Sequence, residues 1–255
     1  MSTQWQADDL VRIDSTAPVA YKGSYLKLAV CELRFPTLFA LEEERPPQSM
    51  HKLLRKAYPI YNRMNEVTVG LGSSSTSSGL HSFKSSSGNW TITLKTSSVA
   101  IETTTYPGFE GMQERIQQML DAVVPVIDTD TLTRVGLRYV NVIRPEGLEM
   151  GAWINPQLVG PLTTGRFKAI GEYSGRLVMQ LEDGGCNFNH GVQIDPANRL
   201  LSKGALPDYV IDIDAYRNNV SLQDVNLAVA RAHDQARALF DWALGPATRQ
   251  QLGGD

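Results

Sequence analysis

Val135-Gly136-Leu137-Arg138-Tyr139-Val140 stands at the centre of the chain, and Cys31-Glu32-Leu33-Arg34-Phe35-Pro36 stands near its start. Both hold a Leu-Arg-aromatic string inside a run suited to a half-buried strand. Further on, Val99-Ala100-Ile101-Glu102 with Tyr106 is answered by Tyr209-Val210-Ile211-Asp212 with Tyr216. The spacing from Leu33 to Leu137 and that from Tyr106 to Tyr216 differ by only a few residues. A repeat with small loop insertions gives this, and chance recurrence of a short, common string is the competing explanation. The period is far too long for a solenoid. It predicts a duplicated small domain.

Working outward, residues 25–36 alternate as a strand that ends at a proline. Met50, Leu53, Leu54, Ala57, Tyr58 and Tyr61 fall on one face of a predicted helix that Pro46 and Pro47 open. Residues 66–71 read as a short strand, and the Ser/Gly-rich 73–88 as a loop plus a ragged strand. Residues 90–94 and 98–106 read as strands. Phe109, Met112, Ile116, Met119, Leu120 and Val123 mark a second amphipathic helix. The pattern then restarts with a strand at 132–143 and a poorly patterned segment at 152–162. Strand candidates follow at 168–173, 175–181, 186–194 and 208–216. Ser221 and Asp224 suggest a capping box before a helix that Gly245-Pro246 stops.

The fold class expected is α+β. It comprises two pseudo-symmetric halves, each a curved antiparallel sheet with helices on one face, in a β-α-β4-α order analogous to TATA-binding-protein-like or helix-grip folds. The expected division is a tail at 1–21, a first repeat at 22–127, a second at 128–247 and a tail at 248–255.

Composition bounds the function classes. The chain has 255 residues, a net charge of −3, 42% hydrophobic and 20% charged residues. That suffices for a core without metal or disulfide staples. Cys31 and Cys186 sit among small or apolar neighbours, as buried thiols do. The polar, acidic residues 1–9 do not read as a signal peptide, and no apolar run is long enough for a membrane span. A cytoplasmic protein with no membrane partner is the expectation.

No catalytic or cofactor motif emerges, and no cofactor or metal is predicted. His51, His81, His190 and His233 lack metal-ligand spacing. His233 borders the apolar face of the last helix, where a packed, hydrogen-bonded histidine is expected. Asp212 and Asp214 share one face of a strand. Such a pair can hold Mg²⁺ or share a proton, or pair with an arginine, for which Arg138 is the candidate. Arg34 and Glu102 hold the matching places in the first half, which favours structural pairing. Gly70-Leu71-Gly72-Ser73 lacks the order of a phosphate-binding loop. Lys52, Arg55 and Lys56, extended by Arg63, form a basic strip near Tyr58 and Tyr61. This is a candidate nucleic-acid face, although the solvated side of a helix gives the same pattern and the chain is net acidic.

The string Arg134-Val135-Gly136-Leu137-Arg138-Tyr139-Val140-Asn141, with Glu32 to Pro36, Tyr58-Pro59, Asp212-Ile213-Asp214, His233 and Phe240, resembles a sporadically distributed, uncharacterised bacterial family of about this length. The resemblance covers roughly residues 22–243 and implies no activity. The expected function is a non-enzymatic module binding a protein, peptide or small ligand, with a homo-oligomer possible. Nucleic-acid binding and a carboxylate- or metal-dependent enzyme are the alternatives.

Overall fold

The computed structural model describes residues 3–13, 21–69, 75–146, 149–167, 170–192 and 207–253. The protein is α+β. Its strands are β1 (Leu26–Arg34), β2 (Ile60–Val69), β3 (Ser75–Lys84), β4 (Trp90–Leu94), β5 (Ser98–Thr103), β6 (Thr131–Ile143), β7 (Tyr173–Leu181), β8 (Gly184–Val192) and β9 (Tyr209–Ser221). They hydrogen-bond in the order β2-β3-β4-β5-β1-β6-β9-β8-β7. The helices are α1 (Gln48–Leu54), α2 (Phe109–Ile127), α3 (Met150–Trp153), α4 (Pro156–Thr163), α5 (Val225–Ala243) and α6 (Pro246–Gln251). No helix among the described residues is long and apolar enough to cross a membrane.

The chain forms two compact units. One holds residues 28–137 and 216–230; the other holds 1–27, 138–215 and 231–255. In the 28–137 unit, β1 buries Ala29, Cys31 and Leu33 and turns Glu32 and Arg34 the other way. Ile92, Leu94, Val99 and Ile101 share that buried face with Met112, Ile116, Met119 and Val123 of α2. Each such side chain contributes about 1.5–3 kcal/mol on full burial. In the 138–215 unit, Tyr209, Ile211, Ile213 and Ala215 are fully buried and alternate with half-buried Val210, Asp212 and Asp214. Cys186 and Phe188 of β8 are buried, as are Ala232, Ala236 and Leu239 of α5.

Both cysteines are buried free thiols, and burial, foremost, with the Glu32 charge pushes the Cys31 thiol up to about 12. The described ends are tied in. Trp5 and Ala7 are buried, and the Ala7 N–H donates to Asp183 Oδ1 at 3.2 Å. Lys22 N–H donates to Leu252 O at 2.9 Å.

Several expectations need correction. The first helix stops at Leu54 and does not reach Tyr61, which lies on β2. Pro59 drives the residue before it out of the helical region, so the apparent stripe joins two different elements. Met50, Leu54 and Tyr58 are buried, whereas Leu53 is exposed. The serine-rich stretch holds a ten-residue strand, β3, paired from Ile60↔Lys84 to Val69↔Ser75. The ladder bonds join backbones, so small polar side chains do not prevent them. Residues 70–74 lie outside the described residues.

The segment at 152–162 holds two short helices. Asn155 starts α4 by accepting the Gln157 N–H at 3.0 Å, with Pro156 at the first helical position. The strand expected at 168–173 begins only at Tyr173, and 168–169 are not described. Ser221 makes no N-cap bond; its hydroxyl donates to the Asp224 carboxylate at 3.0 Å, and a 3-10 turn, Leu222–Asp224, precedes α5.

Candidate functional site

The central string is explained residue by residue. Arg134 Nη1 donates to Glu32 Oε2 at 3.1 Å, and its guanidinium lies 4.5 Å from the centre of the Tyr216 ring. It reaches there by lying flat along its own strand. A Cβ on Gly136 would sit 2.5 Å from Arg134 Nη1, so glycine leaves it room. Leu137 is core. Arg138 grips Asp212 with both prongs, Nε to Oδ1 at 2.8 Å and Nη2 to Oδ2 at 2.7 Å. Tyr139 turns inward, and its hydroxyl shares a 3.0 Å hydrogen bond with His233 Nδ1. Alternation along β6 therefore sends Arg134 and Arg138 to one face and Tyr139 to the core.

The counterpart expected in the first half does not form. Arg34 pairs with Glu32 at 2.7 Å, not with Glu102. The register places Arg34 opposite Ser98 and Glu102 opposite Val30, four residues away along the ladder. At about 3.4 Å per residue, that separates them beyond the reach of a direct bond.

Around the Arg138–Asp212 pair lies a groove of about 240 Å³ lined by Arg138, Arg176, Asn187, Asn189, Asp212 and Asp214. Four strands supply it. Asn187 Nδ2 donates to Asp214 Oδ2 at 3.2 Å. Arg176 on β7 stands opposite Asn189 on β8. Both Asp212 oxygens are engaged by Arg138, and Asp214 by Asn187. Arg176 and Asn189 make no side-chain hydrogen bond or ion pair with any described residue. Arg176 and the Asn189 amide thus bring uncommitted donors to the groove. A bidentate, charge-assisted fork of the Arg138–Asp212 kind is the stronger class of hydrogen bond, and the Asp212 acceptor raises the Arg138 pKa. Arg138 is 49% exposed, so the pair is screened. Asp212→Asn is expected to cost about 1 kcal/mol of stability. Swapping the two charges, Arg138→Asp with Asp212→Arg, should restore part of it in chemical denaturation.

Among the described residues no group of three His, Cys, Asp or Glu side chains converges as a metal site would. Each carboxylate of the Asp212/Asp214 pair already has a protein partner. His233 is held neutral near neutrality, its pKa lowered to about 4 by burial first and by Arg237 second. Burial also lowers the pKa of His81 and His190. His81 shares a bond with the Tyr61 hydroxyl at 3.0 Å, and His190 with that of Tyr209 at 2.6 Å. His51 is exposed on α1.

The basic strip loses part of its extent. Lys52, Arg55 and Lys56 are exposed, but Arg63 Nη2 donates to Glu42 O at 2.7 Å. Tyr58 is buried, and Tyr61 stacks on His81 at 6.1 Å. Tyr58 is therefore withdrawn from the strip as a stacking platform.

A second depression of about 340 Å³ is lined in part by Asn155, Asp241, Trp242 and Arg249. Its polar groups are committed internally. Tyr21 OH donates to Asp241 Oδ1 at 2.5 Å, Asn155 Nδ2 donates to Trp242 O at 2.8 Å, and Arg249 donates to Asp241 O. That region is a structural knot. The groove differs from it in keeping donors open.

Sequence reasoning named Arg138, Asp212 and Asp214, which the structure brings together, and missed Arg176, Asn187 and Asn189. The available signal was the alternation Asn187-Phe188-Asn189-His190, which puts two amides on one face of a strand. No protein-family model matches the chain. A comparison with curated proteins finds no match either.

Proposed function

We propose that the protein is a non-enzymatic binding module that recognises a protein or peptide partner through the groove around Arg138 and Asp212. The observation that carries this reading is the division of labour within the groove. Its acceptors, Asp212 and Asp214, are occupied by Arg138 and Asn187, while Arg176 and Asn189 face it with donors in hand. A guanidinium fork with a neighbouring amide matches a carboxylate beside a backbone or side-chain carbonyl. The chemistry that fits is an acidic side chain or a chain terminus of a peptide, held in a preformed site.

The same reading takes the chain as two related halves. The strand orders β2-β3-β4-β5-β1 and β6-β9-β8-β7 each set the first strand beside the last, and each half ends in a 19-residue helix.

An array of immobilised peptides probed with the labelled protein tests the proposal. Peptides bearing Asp or Glu should be retained and their Asn or Gln counterparts released, with retention weakening as salt rises. Retention that ignores the carboxylate overturns the reading. Binding to mixed DNA or RNA instead, lost on changing Lys52, Arg55 and Lys56, would favour nucleic acid.

A further inference from the structure

Among the described residues β7 ends the strand order, and its ladder partner is β8, from Tyr173↔Val192 to Leu181↔Gly184. A terminal strand carries a row of backbone N–H and C=O groups on its outer side, which is a template for another strand. Proteins commonly blunt such edges with short length, proline, lysines or bulges. β7 is nine residues long, Tyr-Ser-Gly-Arg-Leu-Val-Met-Gln-Leu, with no proline, no lysine and one charge. Its register with β8 is continuous. Leu177, Val178 and Leu181 are 49%, 45% and 37% exposed. The hairpin is held in place from its turn, because Asp183 accepts the backbone N–H groups of Gln6 and Ala7.

The geometry points to β7 as a docking edge for one extended peptide segment of a partner, added to the sheet as a further strand. This rests on the proposed binding function and names the mode of binding. Charge complementarity selects the occupant. Arg176 and Val178 project to the groove face, and Leu177 and Leu181 to the other. A strand beside β7 therefore sets alternate residues against these two rows. The segment that fits carries an acidic residue level with Arg176 and apolar residues level with Leu177 and Leu181. Backbone bonds to β7 supply affinity, and the Arg176 position supplies selection.

The full-length protein is titrated with a capped peptide of alternating valine and threonine bearing one central glutamate. Two analogues are N-methylated on alternate residues, one along each backbone edge. Hydrogen–deuterium exchange at residues 173–181 is followed together with affinity. Strand addition predicts slowed exchange there on binding, a loss of at least tenfold for one N-methylated analogue only, and a similar loss for Arg176→Glu. Sensitivity to Arg176→Glu with both analogues binding normally and exchange unchanged overturns strand addition and leaves the groove reading standing. No binding of any of these peptides overturns both. Slow exchange in the peptide-free protein overturns the proposal in either of two forms. If it depends on protein concentration, a second copy occupies the edge; if it does not, the chain covers the edge itself.

Discussion

Gly191→Ala is expected to lower the unfolding free energy by about 3 kcal/mol, the upper part of the usual range for overpacking. Gly191 lies on β8 opposite Ser174. A Cβ there would stand 2.2 Å from Tyr173 O and 2.9 Å from Ser174 Cα. Both are backbone atoms of the neighbouring strand, so no rotamer change relieves the clash. The strands must part, and the β7–β8 register that aligns Arg176 with Asn189 parts with them. Gly175→Ala on the facing strand offers the contrast. Its Cβ would meet the ring of His190, a side chain, so a smaller loss is expected. Urea denaturation of the two variants checks the order. Equal, small losses would mean that the hairpin tolerates separation.

The second large effect is a dependence of stability on pH. His233 titrates near pH 4 in the folded protein because burial disfavours its charged form, against about 6.5 in an unfolded chain. Between these values the unfolded chain binds a proton that the folded protein refuses. Stability is therefore full above about pH 6.5 and falls as pH drops toward 4. The fall amounts to about 3 kcal/mol, at 1.4 kcal/mol per pH unit. His81 and His190 shift in the same direction and steepen the trend. Urea midpoints measured across this window should fall more steeply for the native protein than for His233→Gln, which keeps a hydrogen-bonding side chain beside Tyr139 but cannot titrate. Parallel slopes would contradict the assignment of His233 as a neutral, packed partner of Tyr139.

The strands with clear alternation were legible in the sequence. Residues 90–94 and 132–143, and the face of α2 from Phe109 to Val123, report burial on one side directly. Other elements had other sources of order. β3 was legible only as a ragged strand beside a loop; it runs ten residues because backbones pair, which its serines neither encourage nor forbid. α3 and α4 are too short for a period to declare itself, and only Asn155-Pro156 marked the second. The first helix was overextended because Tyr58 and Tyr61 happened to continue its spacing across a proline. At the candidate site, Arg138 and Asp212 stood out as charges within apolar strands. Arg176, Asn187 and Asn189 did not, because a polar residue on a partly exposed strand face is ordinary until the neighbouring strands are known. Arg34 and Glu102 show the limit of a repeat argument. The strings match, yet the ladder register gives Arg34 the nearer carboxylate of Glu32.

In the proposed recognition groove, Arg176 supplies the open donor. Titration calorimetry with the best acidic peptide from the array tests it, comparing the native protein with Arg176→Ala. Arg176 is exposed and makes no ion pair with a described residue, so the substitution should leave thermal stability unchanged. Arg176→Ala should bind at least tenfold more weakly at an unaltered melting temperature. Undiminished binding by that variant would contradict the proposed role of Arg176.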